Sequence, residues 1–196
     1  MMKIEIRSDC VVLDGYVNAV GRDSRVITTP NGKFVEQIVP GTFKKAIERA
    51  TNVDLLINHG RKIGSTKDGQ VEIFEDNIGL RAICTVRDAE VMEKARQNKL
   101  KGWSFGMHVL GIPKMEKRAE AEDVPRRYVD DIELEEISII DDQMVPVYFG
   151  TSVEVRAEQD VLKETRSIDF VAKIQNDSKA NVDYSDYESR IQKLKK

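Results

Sequence analysis

The stretch Leu100-Lys101-Gly102-Trp103-Ser104-Phe105-Gly106-Met107-His108-Val109-Leu110 alternates bulky, strand-forming residues with small or polar ones. In an extended chain successive side chains take opposite faces. Trp103, Phe105, Met107 and Val109 then point one way, and Ser104, Gly106 and His108 the other. The first set can enter a core. The second leaves an open, nearly side-chain-free strip around Ser104, which lets a substrate backbone approach a hydroxyl closely. Ser104 is therefore the candidate nucleophile, set against the plainer reading of a turn serine between glycines.

Working outward, the chain around this strand reads as mostly β with a few short helices. Lys3 to Ser8 and Cys10 to Val20 have strand character, with Gly15 at a bulge or bend. Pro30-Asn31-Gly32 marks a hairpin between Arg25–Thr28 and Lys33–Val39. After Pro40-Gly41 the period changes: Thr42 is placed to cap a helix carrying Phe43, Ala46, Ile47 and Ala50 on one face. Val53 to Asn58 is an interior strand that delivers His59-Gly60 at its end. Asp68-Gly69 predicts a second tight hairpin, between Lys62–Lys67 and Gln70–Phe74. Gly79 to Val86 is another strand, and Asp88 to Asn98 a helix with Asn98 as terminator. From Gly111 to Arg127 there is little to bury. Order returns at Tyr128–Asp131 and in Glu133 to Ile140, where alternation puts Glu135, Ile137 and Ile139 on one face and Leu134, Glu136, Ser138 and Ile140 on the other. Beyond Ala157 the chain is polar and charged, with Tyr184, Tyr187, Ile191 and Leu194 available to line a terminal helix. We therefore expect a folded domain over residues 1–156 and a charged extension over 157–196.

At 196 residues, with 40% hydrophobic and 33% charged residues, the chain has enough apolar material for one core. A net charge of -3 without a basic run argues against nucleic acid as a partner. Cys10 and Cys84 sit singly in apolar runs, as buried free thiols of a cytosolic protein do. No signal peptide or membrane span is expected.

A serine hydroxyl needs a base to take its proton, and the base gains from an acid that fixes its tautomer. The chain has two histidines. His108 shares the face of Ser104 but stands four residues along, about 13 Å away at about 3.3 Å per residue. His59, on a separate strand, is the better base, and the acid falls in the Glu133–Glu136 cluster. A metal hydrolase built on His59, His108 and a carboxylate lacks the close histidine pair such sites use.

Four motifs in order, Pro40-Gly41-Thr42-Phe43, Leu55-Leu56-Ile57-Asn58-His59, Gly102-Trp103-Ser104-Phe105-Gly106 and Glu135-Glu136-Ile137-Ser138-Ile139, resemble the HK97-type prohead proteases of tailed phages. The resemblance spans Val11 to Arg156. Two departures stand out, Met107-His108 after Ser-Phe-Gly and Val145-Pro146-Val147 after the last strand. The resemblance implies an α+β, mainly β fold with a closed or partly closed barrel and short flanking helices, related to herpesvirus assemblin. It implies His59 as base, Ser104 as nucleophile and Glu136 as third member, with no metal or cofactor. The implied activity is that of a serine endopeptidase acting inside the immature capsid, in the bacterial host cytoplasm, on scaffold and capsid precursor segments and on itself. It also carries an expectation of self-association and of no membrane partner. An inactive barrel serving as a scaffold or capsid-binding protein would share every motif except the His59, Ser104 and acid set.

Overall fold

The computed structural model describes residues 2–117, 124–146, 148, 164–165 and 167–169. Its order opens with β1 (Lys3–Ile6), β2 (Val11–Ala19), β3 (Ile27–Thr29) and β4 (Gly32–Ile38), followed by α1 (Thr42–Arg49). Next come β5 (Asp54–Ile57), β6 (Arg61–Ser65), β7 (Val71–Glu75) and β8 (Gly79–Val86), then α2 (Ala89–Arg96). The second half holds β9 (Leu100–Val109), β10 (Lys114–Glu116), β11 (Arg126–Val129), β12 (Ile132–Asp141), β13 (Met144–Pro146), β14 (Glu164–Thr165) and β15 (Ser167–Asp169).

These strands form separate sheets in the orders β1-β2-β8-β7, β10-β11-β4-β3, β14-β9-β12-β5-β6 and β13-β15. The closed or partly closed barrel is thereby corrected: the orders are linear, and no ladder returns to its first strand. Closure needs one continuous, staggered hydrogen-bond ladder. The turn at Asp68-Gly69 breaks that continuity. Gly69 adopts φ 66 and Ser65 Oγ donates to Asp68 at 2.6 Å, so the turn forms, but it sends β6 and β7 into different sheets instead of pairing them. The sheets meet through side chains.

The faces of β9 show how. Trp103, Phe105 and Met107 are buried, and Phe105 meets Phe43 of α1 edge to face at 5.3 Å between ring centroids. Burying one such aromatic contributes about 2 to 3 kcal/mol from transfer alone. Trp103 reaches β2 at Gly15, where an added Cβ would stand 2.8 Å from the indole nitrogen. Gly15 is kept bare by its neighbour; the bulge of β2 falls just beyond it, between Tyr16 and Asn18.

Helix ends follow local chemistry. Asp88 caps α2 by accepting from the Val91 N–H, and Asn98 turns the chain in the left-handed region at φ 56. At α1 the cap position belongs to Gly41, and Thr42 is a buried first-turn residue whose hydroxyl donates to the Val129 carbonyl. The free N–H groups of this helix are met instead by Glu75 of β7, which accepts from Gly41 at 2.6 Å and Lys44 at 2.7 Å. The hairpin at Pro30-Asn31 forms as expected, pairing Thr29 with Gly32. Both cysteines are free and buried, and burial pushes the Cys84 thiol up to about 12. The boundary near Arg156 and the terminal helix carrying Tyr184, Tyr187, Ile191 and Leu194 lie outside the described residues.

Candidate active site

The five-stranded sheet carries the site on one face. Antiparallel pairing of β9 with β12 sets Ser104 opposite Ser138 and Gly106 opposite Glu136, and parallel pairing of β12 with β5 carries the end of β5 to the same place. Beyond Ile57 the chain turns tightly. Asn58 and His59 both adopt left-handed backbone, at φ 49 and 55, and the Gly60 N–H donates back to the Ile57 carbonyl at 3.0 Å. Two consecutive positive φ values make this a hairpin turn of the kind whose twist matches its strands. Asparagine tolerates the conformation best among non-glycine residues, and histidine is also enriched there.

The turn is pinned at both residues. The Asn58 N–H donates to the Ile139 carbonyl at 2.9 Å, and its side-chain oxygen accepts the Asp141 N–H at 3.2 Å. The His59 N–H donates to Ser138 Oγ at 3.1 Å. Asp141 has no exposed surface and pairs with Lys94 of α2 at 2.6 Å. Burial alone would raise its carboxyl, but hydrogen bonds from Lys94, the Gln143 N–H and Asn58 hold it below the usual carboxylate range.

So held, the imidazole bridges two partners. His59 Nε2 lies 2.8 Å from Ser104 Oγ, and Nδ1 lies 2.7 Å from Glu136 Oε1. The carboxylate accepts at Nδ1, which fixes the proton there and leaves Nε2 as the acceptor for the serine hydroxyl. Ser138 Oγ donates to the other oxygen of Glu136 at 2.8 Å. Ser104 and Ser138 are fully buried and Glu136 is 2% exposed, so the strip around Ser104 is covered, not open. A serine, a base and an oriented acid in this order can activate a hydroxyl for attack on a carbonyl carbon.

The sequence-predicted residues His59, Ser104 and Glu136 thus come together through direct hydrogen bonds, and His108 does not join them. Its Nε2 lies 2.6 Å from Glu135 Oε1. That contact also corrects the face assigned to Glu135. A bulge between Leu134 and Glu136 sets an extra residue into β12, interrupting the alternation. Glu135 therefore reaches His108, on the Ser104 side of β9, and two successive glutamates serve one face.

The supporting roles of three residues in the quoted motifs, Asn58, Ser138 and Gly106, were not assigned from the sequence. Ser138 carried a usable signal, since it follows Glu136 by two positions on a strand. Gly106 is needed for space: a Cβ there would stand 2.5 Å from Glu136 Oε1. Among the described residues, no three or more His, Cys, Asp and Glu side chains are grouped to hold a metal ion.

Comparison with curated proteins and with solved structures returns no match. The family model described as caudovirus prohead serine protease matches residues 1–165, a span that contains the whole His59, Ser104 and Glu136 cluster. With that span matched, the chain belongs to the caudovirus prohead serine proteases.

Proposed function

We propose that the protein is a serine endopeptidase with Ser104 as nucleophile, His59 as general base and acid, and Glu136 as the group that orients and stabilises the imidazole. Ser104 Oγ attacks the scissile carbonyl carbon as its proton passes to His59 Nε2. The imidazolium is stabilised by Glu136, then gives that proton to the leaving amine as the peptide bond breaks. Water, deprotonated by His59, releases the acyl group and restores Ser104. The substrates in this reading are scaffold and capsid precursor segments, together with the chain itself, inside the immature capsid in the bacterial host. The relation to herpesvirus assemblin belongs to the same reading and rests on the order of the motifs.

The observation that carries it is the unbroken sequence of hydrogen bonds, 2.8 Å from Ser104 to His59 and 2.7 Å from His59 to Glu136. A fluorophosphonate should label Ser104 covalently, and mass spectrometry of a scaffold or capsid precursor after incubation should reveal new termini. Ser104→Ala and His59→Ala should each abolish cleavage, with the double variant hardly worse than either, since the two act as a unit. Substantial cleavage by purified Ser104→Ala would refute the serine mechanism. An unlabelled Ser104 and intact precursors would favour the inactive, structural alternative.

A further inference from the structure

Ser104 stands on β9, whose two edges differ in kind. One edge is paired with β12, and His59 and Glu136 approach Ser104 from that side. An extended peptide that brings its carbonyl to Ser104 as an added strand must therefore come from the other edge. An outer sheet edge presents unpaired N–H and C=O groups, the standard means by which a sheet captures an extended peptide. In this chain that edge is taken by β14: Glu164 pairs with Met107 and Thr165 with Gly106, antiparallel. Continued in this register, the ladder would bring position 167 opposite Ser104. Ser167 instead pairs with Pro146 of β13, so the segment leaves β9 just before the nucleophile. Ser104 meanwhile has no exposed surface.

We propose that the outer edge of β9 at Gly106–Met107 is the docking edge for the substrate backbone, and that residues 164–165 hold it in cis as a competitor. This rests on the protease reading given above. The segment fills the strand position beside the nucleophile without continuing along β9 to Ser104, so it occludes rather than presents a scissile bond. A tethered competitor acts at an effective concentration on the order of mM. If the edge is open for about a tenth of the time, an incoming peptide binds about tenfold more weakly than its intrinsic affinity.

The test uses two full-length chains, both Ser104→Ala to prevent turnover, one of them also carrying Glu164→Pro and Thr165→Pro. Proline cannot donate to a ladder. The probe is a fluorescent synthetic peptide of residues 160–168, read by anisotropy, with amide hydrogen exchange at Gly106 and Met107 measured alongside. The proline chain should bind the peptide at least tenfold more tightly. Of its Gly106 and Met107 amides, the one that faces the outer edge should exchange faster than the parent's and regain protection with peptide. Equal affinity in the two chains overturns the proposal, and so does binding that leaves exchange at Gly106 and Met107 unchanged. If the proline chain does not fold, a Glu164→Gly/Thr165→Gly chain, which keeps its donors but weakens the strand, should show the same changes to a smaller degree. Because these readouts need no catalysis, they separate from the protease reading: fluorophosphonate labelling of Ser104 with no effect at the β9 edge refutes only the docking proposal.

Discussion

Gly106→Ala adds one methyl group and should disable the site without removing any of its hydrogen-bonding atoms. The new Cβ would lie 2.5 Å from Glu136 Oε1, 3.1 Å from Cγ and 3.2 Å from Cδ. Ordinary contact requires roughly 3.4 Å or more, so the carboxylate must yield by about 1 Å. It is not free to swing: Oε1 is engaged by His59 at 2.7 Å and Oε2 by Ser138 at 2.8 Å. A 1 Å displacement stretches one of these beyond hydrogen-bond range. Misplacement on that scale costs about 10²-fold in rate, and complete loss of the orienting acid about 10⁴-fold. We expect kcat/KM, and the rate at which fluorophosphonate modifies Ser104, to fall about 10²-fold, equivalent to about 2.7 kcal/mol in the barrier. Overpacking should also cost about 1 to 3 kcal/mol of stability, measured by urea denaturation. In a Glu136→Ala background the methyl has nothing to displace, so the same substitution should be nearly silent in both measurements. Wild-type labelling by Gly106→Ala, or an equal penalty in the two backgrounds, would refute the reasoning.

Glu136→Gln keeps the size of the side chain but not its charge, and kcat/KM should fall by about 10² to 10⁴ with little change in thermal midpoint. Asn58→Ala should lose about 2 kcal/mol, from the left-handed backbone and the bond to Asp141, and Asn58→Gly should be milder because glycine accepts that backbone; paired melting curves decide. Asp141→Asn removes one of the two carboxylates paired with Lys94, Glu90 at 2.6 Å remaining, and should cost about 1 to 3 kcal/mol. Because the folded Asp141 carboxyl sits below its unfolded value, its contribution is complete above pH about 4 and disappears as pH falls through the lowered value. Urea midpoints between pH 2 and 7 should therefore converge for the parent and Asp141→Asn at the acid end. Cys84, raised to about 12 by burial, should resist thiol reagents at pH 8 until the protein unfolds, and fast modification of the native state would contradict that burial.

Much of the site was legible because it rests on period-two alternation and one distance argument. Trp103, Phe105 and Met107 go inward and Ser104 and Gly106 share the other face, as the spacing of β9 requires. Local patterns say less about partners distant in sequence. The Asp68-Gly69 dipeptide specifies a turn but not which sheet receives the outgoing strand, and the expectation of a barrel came from resemblance, with no residue dictating closure. The bulge at Glu135 was invisible for a related reason. Nothing in Leu134-Glu135-Glu136 marks an extra residue until β9 lies alongside and sets the count. Thr42 failed as a cap because Glu75, more than thirty positions away, serves the same N–H groups.

The turn at Asn58-His59 also bears on when activity first appears during folding. Its anchors, Ser138, Ile139 and Asp141, lie about eighty positions downstream, and the parallel pairing of β5 with β12 must close that interval. Non-local parallel pairing is slow, since the entropy of loop closure is lost before contacts repay it. A chain still emerging from the ribosome, with β12 not yet made, can form the β5–β6 hairpin but has nothing to hold the imidazole against Ser104. Competence to modify Ser104 should return late in refolding, in step with β12 docking and after the local hairpins, so that the nascent protein passes through synthesis with its base unaligned.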